Sequence, residues 1–437
     1  MKKVFLTFLG LLTVATLGGA VYYYISSTKS ASAPEADVQS FPSDAGADLT
    51  TQGGTPDETS GTSTETQIGM NQKGEASAPT DTTPAPVYLR KISIGPIAPS
   101  ASVFGKVKDN SLVVRYVGKE DGRVYEYRPQ NPPNAQTARL TITTIPETQE
   151  SYFSGTGTHL LLRYFDQNHV LKNYLATLPA PASTTPQEKT LTGSFVNKTL
   201  VSIATGPADS YAYVEETIDG GARVASGLFA TTDKTANILP IREWQVSYPK
   251  TGTLVLTSSP SNSARGFSYS VASNGNNATL GGLQRLVGDI SGLTILSSRD
   301  FSKMLYTGTR SESFRSYLLD IKTNKARDFP LATLPEKCVW DTLSSSRLYC
   351  ASPEGIAPSA YPDSWYKGQT SFSDLLWAVN TESDATGILS VPARDAGTSM
   401  DITALAIAPD GSYLVFINKT DGSLWGFDLD LLRKNVF

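Results

Sequence analysis

The feature that most constrains this chain is a strand–turn–strand unit that recurs about every fifty residues from Val87 onward. The clearest copy is the last, Ile402 to Leu429, which reads ITALAIAPDGSYLVFINKTDGSLWGFDL. It alternates apolar runs with the turns Asp410-Gly411 and Asp421-Gly422. Asp-Gly between alternating apolar runs signals a hairpin, because Gly accepts the positive φ that a twist-compatible turn needs. The same grammar recurs at Ser102–Pro129 with Asp121-Gly122, at Tyr152–Leu178, and at Val201–Thr232 with Asp219-Gly220. It continues at Trp244–Ser273, at Ser291–Thr323 with the turn Arg299-Asp300-Phe301-Ser302, and at Cys338–Val391.

That makes seven units, the last of which shows only three strands. The segment Val87–Ser93, VYLRKIS, is a spare strand ahead of the first unit. Pairing it with the last unit supplies a fourth strand and closes a ring, which removes exposed sheet edges. The expectation is an all-β, seven-bladed β-propeller closed by an N-terminal strand and occupying 87–437. Six or eight blades would follow if the unit boundaries moved by several residues.

The last unit carries a resemblance. Ala408-Pro409-Asp410-Gly411-Ser412-Tyr413-Leu414-Val415-Phe416, followed by Leu424-Trp425-Gly426-Phe427-Asp428-Leu429, resembles the repeat of TolB-type, WD-repeat-like propellers. The segment Cys338 to Val379 resembles a stretch of exported, membrane-anchored bacterial propeller proteins. The resemblance implies a fold and an address outside the cytoplasm, and it implies no activity.

The N-terminal region reads differently. Val4 to Ile25 is a charge-free apolar run of 22 residues. At helical rise it reaches about 33 Å, enough to cross a hydrocarbon core. Lys2 and Lys3 precede it and Lys29 is the first basic residue after it, so the positive-inside rule puts the N-terminus in the cytoplasm. Residues 1–26 are thus expected to be a transmembrane signal-anchor touching the membrane through 4–25; cleavage after Ala20 is the alternative. Residues 27–86 are rich in Ser, Thr, Ala, Gly and Pro, with nine acidic residues against Lys29 and Lys73. Such a composition cannot bury enough apolar surface to offset the entropy of ordering, so a disordered linker is expected. The expected location is the cell membrane, single-pass, with the propeller extracytoplasmic.

Composition narrows the chemistry. A net charge of −4 gives no electrostatic footprint for nucleic acid. With two His and two Cys in the chain, no spacing suggests a metal site, and no cofactor motif is present. Ser364-Trp365-Tyr366-Lys367 and Lys250-Thr251-Gly252 match fragments of serine penicillin-binding enzymes, but in reversed order and without a predicted helix for the nucleophile. His159 and His169 have no neighbours that mark a base.

Two features remain as candidate sites. Cys338 and Cys350 face each other if the hairpin turns at Ser344, and export would permit a disulfide contributing about 2–3 kcal/mol. The insertion Pro353–Ser373 in the sixth unit carries Tyr361, Asp363, Trp365, Tyr366 and Phe372, residue types enriched at recognition hot spots. It could be a recognition loop, or a lid that packs its aromatics over the channel. The leading expectation is a binding or scaffolding module for a protein, peptide or wall glycan. The alternative is a propeller-based enzyme or enzyme-associated subunit, such as a glycan lyase or the partner of an exported peptidase.

Overall fold

Each of the four Asp-Gly pairs turns the chain as its chemistry requires. Gly122, Gly220, Gly411 and Gly422 all have positive φ, between 62° and 84°. The Asp side chain fixes three of these turns by accepting from the backbone N–H two residues on: Asp121 from Arg123 (3.0 Å), Asp410 from Ser412 (3.1 Å) and Asp421 from Ser423 (3.0 Å). Asp300 does the same with Ser302 at 3.1 Å, which lets Phe301 hold φ 59° where the related turn has Gly411.

A computed structural model of the protein describes residues 87–436 except 101, 105–111, 130–136, 182–186, 230–233, 240–242 and 274–279. The predicted anchor and linker lie outside the described residues. Among the described residues there are seven four-stranded antiparallel sheets. Six take consecutive strands, over 102–139, 148–195, 200–239, 244–291, 294–328 and 338–390. The seventh takes its first three strands from Ile402–Asp428 and its outermost from Leu89–Lys91, with Leu89 opposite Phe427 and Lys91 opposite Trp425. The closure by the spare N-terminal strand is as the sequence led us to expect. We number these sheets as blades 1 to 7.

Apolar packing follows the ring. Seven buried clusters each join two neighbouring blades, among the described residues. Blades 7 and 1 meet through Ile97, Val114, Val415 and Leu424, and blades 6 and 7 through Leu376, Ile402, Leu414 and Phe427. Cations stitch some of the same interfaces. Arg115 of blade 1 pairs with Glu126 at 2.9 Å and donates to the carbonyls of Gly157 and Pro179 in blade 2. Arg163 of blade 2 pairs with Glu150 and donates to Leu200 in blade 3.

An eighth cluster breaks this pattern: Phe314, Leu334, Tyr361, Trp365 and Phe372, on the insertion and the ends of blades 5 and 6. In every blade the first and second strands are joined at one end of the ring, and the second and third at the other. The insertion, between the second strand (Arg347–Pro353) and third strand (Asp374–Asn380) of blade 6, belongs to the latter end.

Candidate functional site

The insertion folds back on the ring and is held by three neighbouring blades. Asp363 begins a single helical turn, Asp363–Tyr366, and its carboxylate accepts from the Asn262 N–H of blade 4 at 2.6 Å. Thr309 of blade 5 donates to the Tyr361 carbonyl at 2.6 Å, and the Ser359 N–H donates to the Glu312 carbonyl at 2.9 Å. Lys419 of blade 7 donates to the Trp365 carbonyl at 2.6 Å. Tyr361 stacks on Phe372 and meets Phe314 edge-on, while Trp365 stacks on Phe372.

Beneath these rings lies a fully buried ionic cluster. The Lys337 ammonium stands 2.7 Å from Asp374 and 2.5 Å from Asp401, and all three side chains are 0% exposed. The ammonium also lies 5.0 Å from the ring centres of both Trp365 and Phe372. Asp401 is the hub. It accepts from Trp365 Nε1 (2.9 Å), Ser371 Oγ (3.1 Å) and the Phe372 N–H (3.2 Å). Asp374 accepts from the Ile402 N–H at 2.7 Å through Oδ2, while its buried Oδ1 has no hydrogen-bond partner. Burial accordingly pushes the Asp374 carboxyl up to about 6, against the opposing pull of Lys337. Burial also lowers the Lys419 ammonium, partly offset by Asp401. Counting the half-buried Lys419, two cations face two carboxylates. Such a cluster fixes geometry more than it adds stability, since desolvation offsets most of the attraction.

The structure therefore places three of the five aromatic or acidic candidates inside. Tyr361, Trp365 and Phe372 are 1%, 3% and 7% exposed, and Asp363 is partly buried and bonded to blade 4. Tyr366, 41% exposed, is the one that reaches solvent, and its hydroxyl donates to Glu336, just before the first strand of blade 6. Burial raises the carboxyl of Glu336, and burial beside that carboxyl raises the Tyr366 hydroxyl further from its ordinary range.

Cys338 and Cys350 lie opposite each other in register and their sulfurs are bonded, with Cα atoms 4.1 Å apart. Ser364 does sit on a helical turn, which sequence reasoning did not foresee, but the turn is four residues long and Ser364 is buried. Its hydroxyl accepts from Thr370, and Lys367 is exposed. Lys250-Thr251-Gly252 forms the expected hairpin turn, with Gly252 at φ 80°. His159 contacts Thr158 and stacks against Phe229, and His169 is in a turn. Lys337, Asp374 and Asp401 were not anticipated. Their one sequence signal is a charged residue abutting a buried strand end, as Lys337 abuts Cys338-Val339-Trp340.

The opposite end of the ring is open. A cavity of about 1050 Å³ runs along the axis there, and all seven blades contribute to its wall. Blades 6 and 7 give an apolar side, Val339 and Ala404–Ile407 with Pro409. Blades 1 to 4 give a side of mostly Ser, Thr, Gly and Pro residues, with Phe153, Ala208, Tyr248 and Lys250 among them. The ionisable groups among the described lining residues, apart from the Tyr248 hydroxyl, are Lys250 and Arg299, with no carboxylate or imidazole. Among the described residues no group of three or more His, Cys, Asp or Glu could hold a metal ion, and no helix is long and apolar enough to cross a membrane.

No protein-family model matches the chain, and no curated protein matches it by sequence. Among solved structures it is similar to an oligogalacturonate lyase from Vibrio parahaemolyticus (10% identity, TM-score 0.50, covering 80% of this chain and 94% of that one). It is also similar to a structure from a study of two prolyl endopeptidases (10% identity, TM-score 0.50, 76% of this chain and 48% of that one). TolB from Acinetobacter baumannii matches at 14% identity and TM-score 0.39 over 67% of this chain and 63% of that one. At such identities the likeness shows the fold alone. The fold defines a seven-bladed β-propeller, consistent with the TolB-type resemblance of its last unit.

Proposed function

We propose that this protein is a membrane-tethered, extracytoplasmic binding module whose axial cavity receives its ligand, while the blade 6 insertion closes the other end. The tether rests on the apolar span 4–25 with its flanking lysines, and on the acidic linker that follows. The observation that carries the binding role is the cavity wall. It offers an apolar side, hydroxyls and two cations, and among its described residues no group suited to general acid or base work at neutral pH. The partner is a protein, peptide or wall glycan of the envelope. A photo-reactive amino acid at Thr251 in the full chain, activated in cells, should give a defined adduct. The same group at Tyr366 should give none. An adduct at Tyr366 with none at Thr251 would reverse the assignment of the two ends.

A further inference from the structure

The cations in the cavity wall are uncommitted. Among the described residues neither Lys250 nor Arg299 makes an ion pair or a side-chain hydrogen bond, whereas Arg115 and Arg163 each pair with a carboxylate. Arg299 is exposed at the cavity wall, and Asp341 acts on its guanidinium without forming an ion pair. Among the described residues, four aspartates occupy first-to-second-strand turns at this end, and each is spent on its own surroundings. Asp209 accepts from the Thr156 N–H and hydroxyl, and Asp300 from Ser298 Oγ and the Ser302 N–H. Asp341 accepts from the Leu343 N–H and the Tyr349 hydroxyl, and Asp410 from the Ser412 N–H and hydroxyl. None of the four lines the cavity, so the charge its described lining residues present is positive.

The cations also have a fixed relation to the apolar side. Lys250 and Arg299 belong to blades 4 and 5, whereas Ala404–Ile407 and Pro409 belong to blade 7, across the ring axis. A ligand that satisfies both must join a localised anion to apolar side chains within a space of about 1050 Å³. That volume is at the upper end of small-ligand sites and admits a short extended chain. A uronic-acid oligosaccharide has an anion on every ring and little aliphatic surface. A peptide terminus has one carboxylate beside side chains that can be wholly apolar, and a fork-shaped guanidinium suits a carboxylate.

We infer that the cavity binds the free C-terminus of an extended peptide or protein tail, with its terminal carboxylate at Arg299 and Lys250 and its last apolar side chains against Ala404–Ile407. This rests on the proposed binding role of the cavity and names the ligand class. The test uses full-length protein in detergent micelles and fluorescein-labelled peptides ending in three apolar residues, made as free acids and as C-terminal amides. Anisotropy should show the free acids binding about tenfold or more tightly than the amides. The double variant Arg299→Gln, Lys250→Gln should retain its thermal midpoint and lose that preference to within about twofold.

Equal binding of acid and amide, a preference that survives the double variant, or oligogalacturonate binding as tightly as the free acids would each overturn the inference. If any of these occurs while the Thr251 adduct still forms, the cavity remains a binding site for a different ligand. If the Thr251 adduct is also missing, the binding role of the cavity falls with it.

Discussion

The two ends of the propeller use charge in opposite ways. At the capped end Lys337 is fully buried and saturated by two carboxylates and two aromatic faces. At the open end Arg299 and Lys250 face a cavity without a partner. Charge that is buried and satisfied is there for geometry, because leaving one member unpaired would be costly. Charge that stays solvent-accessible and unpaired costs the fold little and is free to meet a ligand. Three of the aromatics that looked most like a recognition surface, Tyr361, Trp365 and Phe372, are packed against the ring. On the proposed reading, the cations that would meet a ligand lie in turns that looked ordinary.

Substitutions that strip the capped end should have the largest effect. Asp401→Ala removes the acceptor for Trp365, Ser371 and Phe372 and half the charge facing Lys337. We expect a loss of about 3–5 kcal/mol in urea unfolding; a loss below about 1 kcal/mol would mean that the cluster does not hold the cap.

A smaller, pH-dependent effect belongs to Asp374. Its folded pKa of about 6 lies above the ordinary carboxyl value of 3.8, so the folded protein binds the extra proton between those values. Stability from this group is then full at low pH and declines as pH rises through that window, by on the order of 2 kcal/mol. Comparing wild type with Asp374→Asn in urea at pH 4 and pH 7 isolates this term. The variant should lack that component of the slope, and identical slopes would show that Asp374 ionises as an ordinary carboxylate.

The smallest effect on stability should come from the open end. Arg299→Gln with Lys250→Gln should shift unfolding by no more than about 0.5 kcal/mol, because both side chains are exposed and neither makes an ion pair or hydrogen bond among the described residues. A loss above about 2 kcal/mol would show that these cations serve the fold.

Most of the fold was legible because its signals are local. Asp-Gly turns and alternating strands are read within a dozen residues, and the spare strand Val87–Ser93 was needed to complete the last sheet. The Cys338–Cys350 pairing followed from the register of one hairpin. The site was less legible because its contacts are distant. Lys337 meets Asp401 across 64 residues, and nothing near Lys337 in the sequence distinguishes it from a surface lysine. The insertion could be recognised by composition, but whether Trp365 points inward depends on Asp401, which belongs to another blade. Likewise Arg299 and Ala404–Ile407 share a cavity only because the ring closes.

The contrast between the two ends is tested most directly by amide hydrogen exchange across residues 354–373 in the full-length protein. If the insertion is a fixed cap, the Phe372 amide, buried and bonded to Asp401, should exchange on the slow timescale of Leu414 and Val415 in the core of blade 7. Exchange of the whole segment at the rate of an exposed loop would contradict the assignment and return the insertion to the role of a free recognition arm.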